Sequence, residues 1–269
     1  MLRNYFLTAF RNFKNNKVYS LLNIFGLGIG LASCLFVFTI IEYEYSFDNW
    51  HNKKDRIYRV VRHYFGDNGI SYSGSIPYPT GDELVRSIPD FEKVVQFHGP
   101  EDGKITLTDH NNNLQVFREE QILYTDPAFF EVMDFQILKG SPESSLAEPY
   151  TVYLTEKLAT KYFGDTDPVG KSMKLDSDKQ LTIVGIVQDC PKNTNLPFNM
   201  IISLPTMREI MPDVFKNNWG MTWAYSSYVL VPQDADIAAL ESKMDQALEK
   251  HADEEDRGKL EVKLQPLLE

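Results

Sequence analysis

Hydrophobic and polar positions divide the chain into a short amphipathic start, one long apolar segment and a mixed remainder. No charged residue occurs between Val18 and Ile41. A helix of this length spans roughly 36 Å, which is enough to cross a hydrocarbon core of about 30 Å. The pattern therefore predicts a transmembrane helix over residues 18–41.

The first 17 residues carry a helical pattern of their own. Apolar residues recur at spacings of three and four, with basic and amide residues between them: Leu2, Tyr5, Phe6, Ala9, Phe10 and Phe13. We expect segment 1–17 to be a cytoplasmic amphipathic helix that lies flat on the inner leaflet. A helix continuing straight into the membrane is less favoured, because the stretch from Lys14 to Lys17 breaks the apolar pattern.

The charges that flank the apolar segment are asymmetric. Four basic residues precede it and three acidic residues follow it: Arg3, Arg11, Lys14 and Lys17, then Glu42, Glu44 and Asp48. The positive-inside rule then places the N-terminus in the cytoplasm and everything after Ile41 outside, with one membrane crossing. The part of the chain beyond residue 41 carries a formal charge of −15.

Two kinds of export signal compete with this interpretation. A cleaved secretory signal has a shorter apolar core and a small-residue cleavage site, and neither is present here. A lipoprotein signal is the stronger rival, because Leu31-Ala32-Ser33-Cys34 resembles a lipobox. However, Leu35 to Ile41 would follow the acylated cysteine where a polar tether is normal. We therefore interpret Cys34 as a small residue inside the membrane helix.

Gly26 and Gly30 lie in the middle of the apolar segment. Their GxxxG spacing allows a second transmembrane helix to approach closely, so both are candidate helix-packing residues. The alternative is that glycine is simply common in membrane helices. The surrounding glycines do not form a dinucleotide fingerprint, because no strand precedes them and residue 31 is leucine.

The remainder predicts an α+β fold. The predicted strands cover 56–62, 91–97, 152–154, 181–187, 228–231 and 260–264, and the predicted helices cover 82–88, 126–130, 155–163 and 237–251. We expect Asp126 to cap the second of these helices and Thr155 the third. The segments 105–108 and 114–117 flank a polar turn at 109–113 and predict a hairpin. The strand–helix–strand order at both ends indicates βαβ units with a β-rich insertion between them.

Composition and motifs exclude several classes of function. A net charge of −11 argues against nucleic-acid binding, two cysteines exclude a disulfide scaffold, and a mean hydropathy of −0.32 excludes a polytopic membrane protein. The five histidines form no metal-binding motif, and no nucleophile elbow is present. We therefore expect no catalytic residue, no metal and no cofactor.

The stretch from Gly164 to Ser172 ends like a phosphate-binding loop. It has five residues between its glycines where such a loop has four, and Asp165 and Asp167 would repel phosphate. We expect a helix end at Gly164, a turn at Asp167-Pro168 and a strand start after Gly170.

The same stretch carries a family resemblance. The segments 149–159, 161–164 and 168–171 resemble the hallmark of the MacB-type periplasmic core domain, and 184–194 resembles its next landmark. Segment 10–17, Trp50-His51 and segment 55–60 are similar too. The chain thus resembles the ABC transporter permeases of the MacB/FtsX superfamily that are common in Bacteroidetes. The motif residues, expected to be structural, are Glu156, Gly164, Asp167, Pro168, Gly170, Lys171, Gly185, Asp189 and Pro191.

The resemblance implies an N-terminal transmembrane helix followed by a periplasmic core domain over 48–269. Within it we expect a βαβ porter-like part at about 50–98 and 198–265, and a β-rich insertion at about 99–197. The implied partners are a cytoplasmic ABC ATPase subunit, a second copy or a second permease half, and a periplasmic or outer-membrane protein. ATP hydrolysis would reside in the ATPase.

The family continues with three more helices beyond the point where this sequence ends. The sequence is therefore expected to be part of a longer permease or a free-standing remnant. In the first case its outer domain couples cytoplasmic ATP hydrolysis to export or extraction of a substrate. In the second case it is a membrane-anchored binding or sensor module without transport, or a lipoprotein.

Overall fold

A computed structural model describes residues 2–66, 69–108, 113–140, 146–176, 178–220, 225–251 and 258–268. The chain forms two compact units, Met1–Phe47 and Asp48–Glu269.

The first unit consists of α1 (Leu2–Asn15) and α2 (Lys17–Tyr45). Asn16 separates them with backbone angles of φ −123° and ψ 57°, which are not helical. Of the described residues, α2 forms the one helix that is long and apolar enough to cross a membrane, and none of its residues is buried. It begins one residue before the predicted span and ends four residues after it.

The second unit is built on a sheet of eleven strands in its described residues. The strands are β1 (Ile57–Gly66), β2 (Gly69–Ser73), β3 (Lys93–Thr108), β4 (Leu114–Thr125), β5 (Ile137–Lys139), β6 (Thr151–Thr155), β7 (Ser172–Leu175), β8 (Lys179–Val187), β9 (Met200–Ser203), β10 (Tyr225–Leu230) and β11 (Leu260–Pro266). Their order is β11-β1-β10-β3-β4-β9-β6-β8-β5, with β2 beside β1 and β7 beside β3 and β8.

Six helices join these strands within the residues that the structure describes. They are α3 (Thr80–Ser87), α4 (Phe129–Val132), α5 (Glu156–Phe163), α6 (Leu204–Ile210), α7 (Pro212–Asn217) and α8 (Ile237–Glu249), and a single 3₁₀ turn covers Lys54–Arg56. The sequence predicted four of the six. It did not predict α6 and α7, which are short and each begin with a proline in the first turn.

Both ends of the second unit form split βαβ arrangements. β1 and β3 lie on either side of β10 and both pair with it in antiparallel orientation, and α3 connects them. In the same way β10 and β11 lie on either side of β1, and α8 connects them. The two arrangements interlock, so the first and last parts of the unit form one continuous piece of sheet.

The middle of the unit is rich in strands. β3 and β4 form a long antiparallel hairpin, as predicted, although residues 109–112 of its turn lie outside the described residues. β9 pairs with β4 in parallel and with β6 in antiparallel orientation. β6 and β8 are parallel, and α5 lies in the connection between them. The division into a porter-like part and an insertion at the boundaries given above stays a prediction.

Alternating side chains place apolar residues on both faces of the sheet. In β6, Val152 and Leu154 belong to one core cluster and Tyr153 belongs to another. In β9, Met200 and Ile202 lie in the first cluster and Ile201 in the second. Burying one apolar side chain of this size stabilises the folded state by roughly 1.5–3 kcal/mol. Because such side chains lie on both faces of the sheet, both faces are covered by other parts of the unit.

The prediction that Asp126 is the N-cap of a helix is wrong. The helix α4 begins at Phe129, and its N-cap is Ala128. One carboxylate oxygen of Asp126 accepts the Ala128 N–H at 2.9 Å, and the other accepts the Gln96 N–H of β3 at 2.9 Å. Because the carboxylate is shared with the sheet, Asp126 shapes the turn before the helix instead of capping it.

Candidate functional site at the start of the second unit

Asp48 is the third residue after the end of α2, and its carboxylate is buried. The Thr194 hydroxyl donates to it at 2.6 Å, and the Asn195 N–H donates at 3.1 Å. The Asp48 N–H in turn donates to the Asn193 carbonyl at 3.0 Å. Asp48 has a φ of 51°, a left-handed conformation that aspartate adopts more readily than most residues.

His51 continues this cluster and is also buried. Its Nδ1 accepts the Asp134 N–H at 3.2 Å, so the Nδ1 atom carries no proton in this arrangement. The Asp134 carboxylate accepts the Asn52 N–H at 2.5 Å. Burial lowers the pKa of His51, although the charges of Asp48 and Asp134 oppose that shift. The imidazole is therefore neutral at pH 7 and acts as a hydrogen-bond acceptor within the core.

The Trp50 ring packs on His51 at 3.7 Å between ring centroids and contacts the edge of Phe135 at 4.9 Å. We use the term anchor for Asp48, Trp50, His51, Asp134 and Thr194 together. The anchor ties the residues that follow α2 to two distant segments of the same unit. Sequence reasoning found Trp50, His51 and Thr194 only as family landmarks and missed the pairing role of Asp48 and Asp134.

Several of the predicted motif residues organise α5. The Thr155 side chain accepts the Leu158 N–H at 3.4 Å and caps the helix, as the sequence predicted. Asp189 accepts the Lys157 N–H at 2.9 Å, so a carboxylate satisfies a second N–H group at the same helix end. Glu156 lies in the first turn and is exposed, where its charge favours the helix dipole.

The stretch that resembles a phosphate loop is a turn. Gly164 ends α5 with a φ of 57°. One oxygen of Asp167 accepts the Val169 N–H at 3.2 Å, and the other pairs with Lys139 at 2.9 Å. The Pro168 carbonyl accepts the Lys171 N–H at 3.0 Å, and the Gly170 N–H donates to the Ile183 carbonyl at 2.8 Å.

The Lys171 ammonium lies 4.8 Å from the centroid of the Phe163 ring. It therefore makes a cation–π contact within the turn. Gly185 lies in β8 where a side chain would collide with the Tyr153 ring and the Lys139 carbonyl, which explains the need for glycine. Pro191 is half-buried in the segment after β8.

Cys190 is a structural thiol. Its Sγ accepts the Phe198 N–H at 3.3 Å and donates to the Phe198 carbonyl at 3.2 Å. Burial raises its pKa to about 11, so it stays protonated.

Gly26 and Gly30 lie on α2, where an added Cβ would meet no atom within 4 Å. That space is compatible with a neighbouring helix, and their packing role stays a prediction.

A second polar cluster surrounds the buried Gln96 side chain on β3. This side chain donates to Asp82 at 3.0 Å and accepts from the Tyr225 hydroxyl. Arg208 pairs with Asp82 at 2.8 Å. Burial raises the pKa of the adjacent Asp126 to about 7 against the hydrogen bonds from Gln96 and Ala128. The cluster joins α3, β3, β10 and α6, and the sequence analysis did not predict it.

Nothing in the described part of the chain offers a metal site, since no group of three or more His, Cys, Asp or Glu side chains is placed to hold an ion. His110 lies outside the described residues. The hydrogen bonds of the anchor hold distant segments of the second unit together.

The family model described as the MacB-like periplasmic core domain matches residues 20–247. The chain belongs to this family. It is a MacB/FtsX-type permease sequence, and the resemblance stated from its motifs is confirmed. No curated protein matches the sequence significantly.

Among solved structures, the MacB-like domain is similar to a domain of a candidate permease protein from Porphyromonas gingivalis. The two are 22% identical, the match covers 81% of this chain and 92% of the other, and the TM-score is 0.69. This likeness supports the fold and fits the Bacteroidetes-like character of the sequence.

Two further structures match with lower scores. The periplasmic region of MacB from Actinobacillus actinomycetemcomitans is 14% identical, with coverage of 76% and 87% and a TM-score of 0.49. The extracellular domain of the noncanonic ABC-type transporter YknZ from Gram-positive bacteria is 12% identical, with coverage of 77% and 98% and a TM-score of 0.48.

Proposed function

We propose that the chain is the N-terminal portion of an ABC transporter permease subunit. Its MacB-like domain would couple ATP hydrolysis in a separate cytoplasmic subunit to export or extraction of a substrate. The observation that carries this proposal is the family match over 20–247, which includes most of α2 as well as the domain. The same match favours a permease over a sensor module without transport.

The proposed location is the cell inner membrane, with the N-terminus in the cytoplasm and the MacB-like domain in the periplasm. Its support is the basic residues that precede α2 and the acidic residues that follow it, as described above. A reporter enzyme fused after Leu268 should be active on the periplasmic side. Activity only in the cytoplasm would overturn the proposed orientation.

The anchor gives this coupling a physical route. A displacement of the chain after α2 pulls first on Asp48, whose buried carboxylate is held by Thr194 and Asn195. His51 and Asp134 hold the next turn of the chain. Because a buried hydrogen-bonded carboxylate is costly to release, the displacement would carry the domain with it instead of stretching the connection.

ATP hydrolysis is proposed to reside in the partner subunit. The turn at 164–171 supports this assignment, since Lys171 is engaged with Phe163 and Asp167 with Lys139. Two copies of the chain, or this chain and a second permease half, would meet in the membrane at the face that bears Gly26 and Gly30. A periplasmic or outer-membrane partner completes the proposed assembly.

Purification of the tagged full chain from its native membrane tests the proposal. We expect an ATP-binding-cassette subunit to co-purify in stoichiometric amount, identified by mass spectrometry, and the complex to hydrolyse ATP. The matched control is an equally tagged unrelated single-pass membrane protein. Recovery of the chain without any such subunit under several mild detergents would contradict the proposed function.

A further inference from the structure

Two strand edges, those of β11 and β2, lie at the β11–β1–β2 end of the sheet, and they differ in whether other groups occupy their outer backbone N–H groups. β11 is an edge strand, and α8 covers its outer backbone groups. Glu241 accepts the Leu264 N–H at 2.9 Å, and Asp245 accepts the Val262 N–H at 2.8 Å. These carboxylates occupy the donors that another strand would use, so β11 is protected from strand addition.

β2 has no such cover among the described residues, where it pairs with β1 alone. The Phe65 N–H donates to the Lys259 carbonyl on the far side of β1. Phe65 is opposite Ile70, so Ile70 belongs to a pair that exchanges no hydrogen bonds, and its backbone groups point away from β1. Because backbone orientation repeats every two residues along a strand, the N–H and C=O groups of Tyr72 also point away from β1.

The outward-facing residues of β2 are also exposed. The Ile70 side chain is 49% exposed and the Tyr72 side chain 69% exposed. Tyr72 lies against the ring of His63 at 4.7 Å, on the same face of the hairpin as Phe65 and Ile70. A hairpin that presents both free backbone groups and an aromatic face is suited to contact with another chain.

A cavity lies on each side of β2. The first has a volume of about 580 Å³, and its wall includes Ser71, Ser73 and Trp219, whose ring stacks on His251 at 3.8 Å. The second has a volume of about 450 Å³, and its wall includes Tyr72 and Lys263. An added strand would direct alternate side chains to these two sides.

The charge of this corner is opposite to that of the unit as a whole. Among the described residues that line the two cavities, Arg62 in the first and Arg59 and Lys263 in the second are basic, and none is acidic. Lys263 also pairs with Glu241 and Glu261 beside the second cavity. The part of the chain beyond residue 41 carries a formal charge of −15. A basic corner on an acidic unit favours an acidic partner and disfavours a second copy.

We propose that β2 binds an acidic peptide segment in extended conformation. The segment adds as a new strand beside Ile70 and Tyr72 and places its alternate side chains at the two cavities. The backbone contacts supply affinity, and the cavity walls with Arg62 and Lys263 select the side chains. The inference concerns a recognition surface and stands whether or not the chain works in transport.

The test uses the full chain in nanodiscs and a pool of nonapeptides that alternate acidic and apolar residues. Selected binders are resynthesised with N-methyl groups on either one or the other alternate set of backbone amides. Methylation of the set that faces β2 should weaken binding at least about tenfold, and methylation of the other set should change it little. This comparison leaves the protein unaltered.

Tyr72→Pro should weaken binding by a similar factor, because it removes an outward N–H. Leu114→Ala, on the exposed end of another hairpin, is the control. Hydrogen exchange at Ile70 and Tyr72 should slow when the peptide binds. The proposal is overturned if the pool yields no binder, if both methylated sets bind equally, or if Tyr72→Cys chains crosslink to each other and peptide fails to compete.

Discussion

The Thr194 hydroxyl donates a hydrogen bond to the Asp48 carboxylate at 2.6 Å, between positions 146 residues apart in the chain. The bond is buried, and it lies three residues beyond the end of the apolar helix.

Thr194→Val should lower the free energy of unfolding of the second unit by about 1–3 kcal/mol. Valine has nearly the shape of threonine but leaves the buried Asp48 carboxylate without its hydroxyl donor. Chemical unfolding followed by tryptophan fluorescence measures the change. Thr166→Val, at an exposed position, is the matched control and should change stability by less than about 0.5 kcal/mol. Equal stability of the two variants would show that the bond contributes nothing.

Glu83 should make stability depend on pH in the acid range. Burial alone raises its pKa, but hydrogen bonds from Lys250, Ser87 and Arg86 outweigh burial and lower the pKa from 4.5 to about 2. A carboxyl with a depressed folded pKa stabilises the folded state above pH 4.5, and this contribution disappears as the pH falls toward 2.

Glu83→Gln should therefore lower the free energy of unfolding by about 2 kcal/mol at pH 7 and by much less near pH 2. Unfolding curves across a pH series, with the exposed Glu120→Gln as control, measure the difference. A cost that stays the same between pH 5 and pH 2 would exclude the ionised pairing.

The chain should have no measurable affinity for ATP, and Lys171→Ala should leave that result unchanged. Lys171 contacts the Phe163 ring, and Asp167 in the same turn would repel phosphate. Calorimetric titration of the purified chain with magnesium and ATP provides the measurement. Micromolar binding that Lys171→Ala abolishes would show that the turn is a nucleotide site.

Cys34 should carry no lipid. It is exposed on α2, and the helix continues for eleven residues beyond it. A lipidated cysteine would stand at the start of a mature chain, before a polar tether. Metabolic labelling with a radioactive fatty acid should give no signal in the wild type. A signal that disappears in Cys34→Ser would overturn the membrane-helix interpretation.

The regular elements were predictable because local pattern determines them. The alternation of apolar and polar residues predicted β8, and the apolar face of a helical pattern predicted α8. The predicted ends of both elements lie within two residues of the observed ones. Thr155 was recognisable as a cap because a hydroxyl before an apolar helical pattern has that role. The family motifs then supplied the fold of the whole second unit.

The anchor was not predictable in the same way. Asp48, Asp134 and Thr194 are far apart in the sequence, and no local pattern distinguishes them from other polar residues. The short helices α6 and α7 were not predicted for a related reason. With seven and six residues they are too short to establish a period, and tertiary packing stabilises them.

The measurement that tests the central claim most directly is hydrogen exchange on the assembled transporter with and without ATP. If the anchor couples the membrane helix to the domain, ATP should change exchange at the backbone amides of Asn193, Asn195 and Leu196. Asp48→Ala should abolish that change and leave ATP hydrolysis intact, whereas the exposed Asp165→Ala should preserve it. An identical ATP response in the wild type and Asp48→Ala would contradict the account.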